Sequence, residues 1–169
     1  MKAALQSFGA VIADFEATVV RASQELRRLS PSGKKKVDSW NVYQILGHLI
    51  DSAANNHSRF VRAQLTDHLN FPGYEQDDWV RLQRYEEEGW LDLVQFWTSY
   101  NLHLARIIAL IPQEQLTKQR TNHSLEKIAL KTVPASEATT LEFLIRDYVD
   151  HLKHHLNQIF GLESPDIQF

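Results

Sequence analysis

The residues best equipped for chemistry lie near the C-terminal end, in Asp150-His151-Leu152-Lys153-His154-His155-Leu156-Asn157-Gln158-Ile159. His151 and His155 are four residues apart, so on a helix turning about 100° per residue they share one face, one turn apart. That spacing lets two imidazoles converge on a single metal ion. Leu141, Leu144, Ile145, Tyr148, Leu152 and Ile159 form an apolar stripe on the same helix. His155 falls inside it, His151 falls at its edge beside Leu144, and His154 projects outside. A buried histidine needs partners for both ring nitrogens, and a metal is one such partner. A second description fits the pair equally well: His155 as a hydrogen-bonded core residue, His151 as a rim residue.

A catalytic metal usually has three protein ligands and an open position. His48, in Trp40-Asn41-Val42-Tyr43-Gln44-Ile45-Leu46-Gly47-His48-Leu49, borders the apolar stripe Val42, Ile45, Leu49, Ala53 and is the candidate third ligand. Ser52, Asn55 and Arg59 follow it at i+4, i+7 and i+11. They make a narrow polar strip that either lines a cavity between helices or lies half-exposed on the surface. Asp147, one turn before His151, is placed either to orient a ligand imidazole or to serve as an exposed i,i+4 partner, the role also expected of Asp51 and Asp150. Asn56 and Asn101 intrude on inward faces, where an amide either cross-links helices or reaches into a pocket. His57, His68, His103 and His123 read as structural or solvent-facing.

The composition narrows the chemistry. With no cysteine among 169 residues, disulfides, thiolate-ligated zinc, iron–sulfur clusters and a cysteine nucleophile are excluded. Imidazole, carboxylate and water remain, a ligand set suited to zinc, nickel, iron or manganese. The formal net charge of −3 leaves no basic footprint for nucleic acid, and Lys34-Lys35-Lys36 is a short solvated run. Asp14 and Glu16 interrupt any signal-like stretch in Met1 to Val20, and no segment is apolar for the ~18 residues of a membrane span. The expectation is a cytoplasmic protein forming one domain over residues 1–169.

Four segments carry the 3.6-residue period that must position these side chains. The first runs from about Ala3 to Leu29, through Leu5, Phe8, Ile12, Phe15, Val19, Ala22 and Leu26, and Ser30-Pro31-Ser32-Gly33 breaks it. The second starts near Asp38-Ser39, either of which can cap it, and runs to about Leu69. The third spans Trp90 to Ile111, closed by Pro112. The fourth runs from Thr139 to Phe160, with Thr139-x-x-Glu142 as a capping box and Gly161 as its C-terminal cap. Between the second and third, a short helix is expected around Asp77 to Arg84. Residues 113–138 are poorly patterned, and Leu125 to Val133 reads as a small strand or an irregular excursion. The fold class is all-α: an up-and-down-type four-helix bundle with an irregular crossover before the last helix.

Taken in order, Trp40 through Leu49, Phe71-Pro72-Gly73-Tyr74-Glu75-Gln76-Asp77-Asp78-Trp79, Thr140-Leu141-Glu142-Phe143-Leu144 and His151 through Ile159 resemble the DinB/YfiT-like superfamily over almost the whole chain. These are four-helix-bundle proteins with a three-histidine metal site. Relatives often carry an acidic residue where Leu152 stands and a glycine where Asn157 stands; neither is a ligand position. Carried over residue by residue, the resemblance implies His48, His151 and His155 as ligands of a divalent metal, with zinc or nickel foremost and manganese or iron as alternatives.

The resemblance implies two activities. One is transfer of a low-molecular-weight thiol to a small electrophile, as in bacillithiol- or mycothiol-type thiol transferases; the other is metal-dependent hydrolysis. Asn55 and Arg59 are then candidates for binding the substrate. A non-enzymatic, stress-related bundle with a structural metal is the competing class, and Tyr74, Trp79 and Tyr85 could form a surface interface or simply pack. Many members pair, so a homodimer is expected.

Overall fold

The computed structural model describes residues 7–169, and the expected inward Leu5 lies outside the described residues. Helix α1 spans Phe8–Leu26, with the Ser7 hydroxyl accepting from Ala10 N at its start. Its buried residues Val11, Phe15, Val19, Ala22 and Leu26 recur at three and four, as the apolar spacing requires. It ends short of Leu29, and the Leu26 carbonyl accepts the Trp90 indole N–H at 2.8 Å.

Asp38 and Ser39 do not cap the second helix. They form the turn of a hairpin in which β1 (Lys36–Val37) pairs antiparallel with β2 (Trp40–Asn41). Asp38 adopts φ 53°, a left-handed conformation that aspartate tolerates better than most residues. The cap is Asn41, whose side chain accepts from Tyr43 N and Gln44 N while Gln44 Oε1 accepts from Asn41 N. This reciprocal capping box starts α2, Val42–Arg62. The helix stops before Leu69: Arg120 Nη2 donates to the Ala63 carbonyl, and Leu69 enters a backbone bridge with His123.

The remaining long helices are α4, Trp90–Ala109, and α7, Leu141–Glu163; between α2 and α4 lie α3, Gln76–Gln83, and a 3-10 turn, Tyr85–Glu87. Both α1 and α2 pack against α4 and α7, so α1 and α2 face each other across a diagonal. Side-chain pairs set the directions. Trp90 and Thr98 meet Leu26 and Ser23, which makes α4 antiparallel to α1. Tyr43 and His57 meet Trp90 and Tyr100, which makes α2 parallel to α4. His48 and Phe60 meet His155 and Tyr148, which makes α7 antiparallel to α2. The order is therefore up-down-down-up rather than a simple up-and-down bundle. Residues 63–89 make this possible, because that connection is long enough to return along the ~30 Å of α2.

That connection also covers α2 from outside, and every residue from Ile45 to Ala53 is buried. Of the three aromatics read as interface or packing residues, Tyr85 packs, 6 % exposed against α2; Tyr74 is half-buried, and Trp79 is exposed. The crossover holds two short helices, α5 (Gln113–Thr117) and α6 (Leu125–Ile128), so residues 125–133 are the irregular excursion of the two alternatives, one helical turn followed by a bend at Leu130 and Lys131. Ser124 Oγ donates to Phe71 O and accepts from Phe71 N, both at 2.9 Å, tying the crossover to the earlier connection.

Thr140, not Thr139, caps α7, accepting from Phe143 N at 3.1 Å. Thr139 is held in a backbone bridge to Arg120. Gly161 is not a cap, since α7 continues to Glu163 and the positive-φ glycine among the described residues is Gly33. The Asn157 side chain pairs with the backbone of Phe169, laying the C-terminal segment back along the helix. Among the described residues no helix is long and apolar enough to cross a membrane.

Candidate metal centre

The antiparallel contact of α2 and α7 brings His48, His151 and His155 together. Their Nε2 atoms converge: His48 to His151 at 3.2 Å, His155 to His151 at 3.1 Å. Potential ligand atoms from all three lie within 4.8 Å of one another. Nitrogens about 2.0–2.1 Å from one tetrahedral zinc lie about 3.3 Å apart, so the observed separations fit a shared ion. Hydrogen bonding alone fits less well. The Nε2 of His151 faces two other nitrogens, yet it carries either one proton or one lone pair. One of its two contacts is then left unsatisfied, whereas an ion between the rings satisfies all three.

The outer nitrogens favour the same tautomer. The Nδ1–H of His155 donates to Gln158 Oε1 at 2.7 Å, which leaves Nε2 as the lone-pair atom. Ser52 Oγ stands 3.5 Å from His151 Nδ1, and Tyr74 Oη stands 3.5 Å from His48 Nδ1, both able to accept. Burial first, then the neighbouring imidazoles, lowers His48 to about 2 and His151 to about 3; burial also lowers His155, against the pull of Gln158. All three rings are neutral at pH 7, the state a metal needs.

A cavity of about 370 Å³ opens beside the histidines. Its walls are Ser52, Asn56 and Arg59 from α2, Leu144, Asp147, Tyr148, His151, His154 and His155 from α7, Gly73, Tyr74 and Gln76 from the connection, and Lys127 to Leu130 from the crossover. The polar strip on α2 is thus a cavity wall, except that Asn56 faces the cavity and Asn55 does not; the Asn55 amide donates to Asp51 O. Asn101 is a cross-link, accepting from Tyr148 OH at 2.5 Å across the core. His154, expected to project away, sits on the cavity rim.

Asp147 has neither role expected of it. It is buried and accepts from Leu130 N at 2.8 Å and Lys131 N at 2.7 Å, holding the crossover against α7. Asp51 is also buried, accepting from Tyr85 OH and Gln83 Nε2, both at 2.7 Å; Asp150 pairs with Lys131 at the surface. His57 contacts Tyr100 and His103, His68 accepts from Asn70 N, and buried His123 accepts from Leu125 N and bonds the Glu137 carbonyl. Gln158 stood in the motif with no role assigned; its i,i+3 offset from His155 was the available signal. Nothing local marked Lys127 to Leu130 as a cavity wall.

The DinB superfamily model matches residues 7–159. Among solved structures, YfiT from Bacillus subtilis superposes with a TM-score of 0.74 at 18% identity, covering 95% of this chain and 87% of that one. YfiT is described as a probable metal-dependent hydrolase with an unusual four-helix bundle topology. Comparison with curated proteins gives no match. On the family match, which spans nearly the whole described chain, this protein belongs to the DinB superfamily.

Proposed function

We propose that the protein is a divalent-metal-dependent enzyme that joins a low-molecular-weight thiol to a small electrophile. The observation that carries this reading is the convergence of three imidazoles, with His151 Nε2 at 3.2 Å from His48 Nε2 and 3.1 Å from His155 Nε2, beside a cavity that His151 and His155 line and that is large enough for a small molecule. His48, His151 and His155 would hold the ion, with zinc or nickel best suited to an all-nitrogen set and manganese or iron as alternatives. Such an ion would supply Lewis acidity that eases loss of a proton from a thiol or a water. The chain has no cysteine, so the sulfur is the cosubstrate's. A sulfur–carbon bond forms as the leaving group departs from the electrophile, and the thiol proton passes to that group or to solvent.

The chain's own contribution is positional. Gln158, Ser52 and Tyr74 orient the three rings, and the crossover from Lys127 to Leu130 forms one wall of the cavity. Metal-dependent hydrolysis is the second reading. It is favoured by the likeness to YfiT and uses the same histidines with water in place of the thiol. A purely structural ion linking α2 to α7 is the third, and the adjoining polar cavity argues against it.

The test begins with the metal content of untagged protein. About one ion per chain in wild type, lost in His155→Ala, is expected; no ion in either sinks the proposal. Low-molecular-weight thiols with an electrophile, and esters or amides without thiol, then separate the readings. Turnover that needs thiol and disappears in His48→Ala supports transfer, and turnover without thiol supports hydrolysis. Bound metal with neither activity points to the structural ion.

A further inference from the structure

The cavity holds a second fixed group at a distance from the histidines. Arg59 is only 6 % exposed, yet its guanidinium stands on the cavity wall. Nη1 donates to Asn56 Oδ1 at 3.4 Å and Nη2 to Pro72 O at 3.1 Å, both neutral acceptors. Asp147 is the one carboxylate among the lining residues, and its two oxygens already accept from Leu130 N and Lys131 N. Among the described residues no carboxylate pairs with Arg59, so it is a buried cation without an ion-pair partner, an arrangement that costs stability. Two of its five N–H donors are engaged.

The guanidinium is held in line with the reaction centre. His151 Nδ1, Ser52 Oγ, Asn56 and Arg59 form a polar file with links of 3.5, 3.3 and 3.4 Å. Arg59 lies eleven residues beyond His48, and its side chain leans back toward Asn56. The charge therefore sits about two turns, roughly 10 Å, from His48 along α2. A planar guanidinium fixed at one edge matches a carboxylate in geometry and charge. Lys127, the other formal cation on the wall, is exposed and long, and so a poorer fixed point.

We propose that Arg59 is the anion-binding subsite of this cavity, and that the substrate carries a carboxylate about 10 Å from the group that reacts at the histidines. The substrate assignment rests on the enzymatic reading given above; the binding of a carboxylate at Arg59 does not.

The full chain, as purified and after chelation, is titrated calorimetrically with hexanoate, hexanamide and inorganic phosphate. Saturable hexanoate binding in both forms is expected, with hexanamide and phosphate weaker by about tenfold or more, and with Arg59→Gln weakening hexanoate about tenfold or more at unchanged metal content. Lys127→Gln is expected to change it less than about twofold. Equal binding of hexanoate and hexanamide overturns the subsite on wild-type protein alone, whether or not Arg59→Gln folds. So does tighter binding of phosphate, or a loss that follows Lys127 in place of Arg59. Hexanoate binding that survives chelation in a protein with no turnover supports the subsite and fails the enzymatic reading. Bound metal and turnover without hexanoate binding fail the subsite alone.

Discussion

The ring of Tyr85 lies directly on the backbone of Gly47, in the space where a side chain at that position would have to be. The glycine precedes His48, and the close approach lets the Tyr85 hydroxyl reach Asp51 Oδ1 at 2.7 Å, one turn further along α2. A methyl group at position 47 must push the ring away and break this bond. Gly47→Ala is expected to destabilise the fold by about 1–3 kcal/mol despite alanine's better helix propensity. An unfolding midpoint in denaturant equal to that of wild type would show that Tyr85 yields freely.

Gln158 fixes the tautomer of His155 through the 2.7 Å bond to Nδ1. Gln158→Leu removes the acceptor while keeping the helix and much of the volume. Metal affinity, measured by competition with a chromophoric chelator, is expected to fall about 10- to 100-fold, and Gln158→Glu to retain it. Unchanged affinity in the leucine variant would mean that packing alone orients the ring.

His155 within the Leu152–Ile159 stripe, and His48 beside Ile45 and Leu49, were legible in the sequence because both lie on long helices whose period places a side chain without reference to anything distant. The cover over α2 was not. It depends on residues 63–89 returning along that helix, and Tyr85 and Gly47 are separated by a connection with no period of its own. Arg120 is a similar case. It lies in a poorly patterned stretch that singles out no residue, yet it is 2 % exposed, donates to the Ala63, Gln115 and Lys118 carbonyls, and closes the end of α2. The directions of the helices were hidden for the same reason: apolar periodicity says which face is inward and nothing about which end a long connection returns to.

Asp147 clamps the crossover by accepting two backbone N–H groups, from Leu130 and Lys131. Asp147→Ala leaves both donors without their partner and is expected to cost about 1–3 kcal/mol of stability. Amide exchange at residues 130 and 131 should quicken by more than it does in α4. The histidine rings make no hydrogen bond to Asp147, so one metal per chain should still bind. Loss of metal in this variant would restore the discarded idea that Asp147 orients a ligand.

Removing the metal tests the link between the site and the fold. His48 belongs to α2, while His151 and His155 belong to α7, so an ion held by all three joins two antiparallel helices at one level. A ligand bound only by the folded chain stabilises it by about 2.7 kcal/mol at a hundredfold excess over Kd. For a chain of this size that is a rise in Tm of roughly 5–11 °C. Chelation is expected to lower Tm by this amount, and zinc or nickel to restore it in proportion to the logarithm of concentration. In His48→Ala the response should largely vanish, because two ligands one turn apart on α7 no longer bridge the helices. A Tm that ignores both chelator and metal in wild type would leave the three imidazoles as a buried cluster without an ion, and the proposed activity would fall with it.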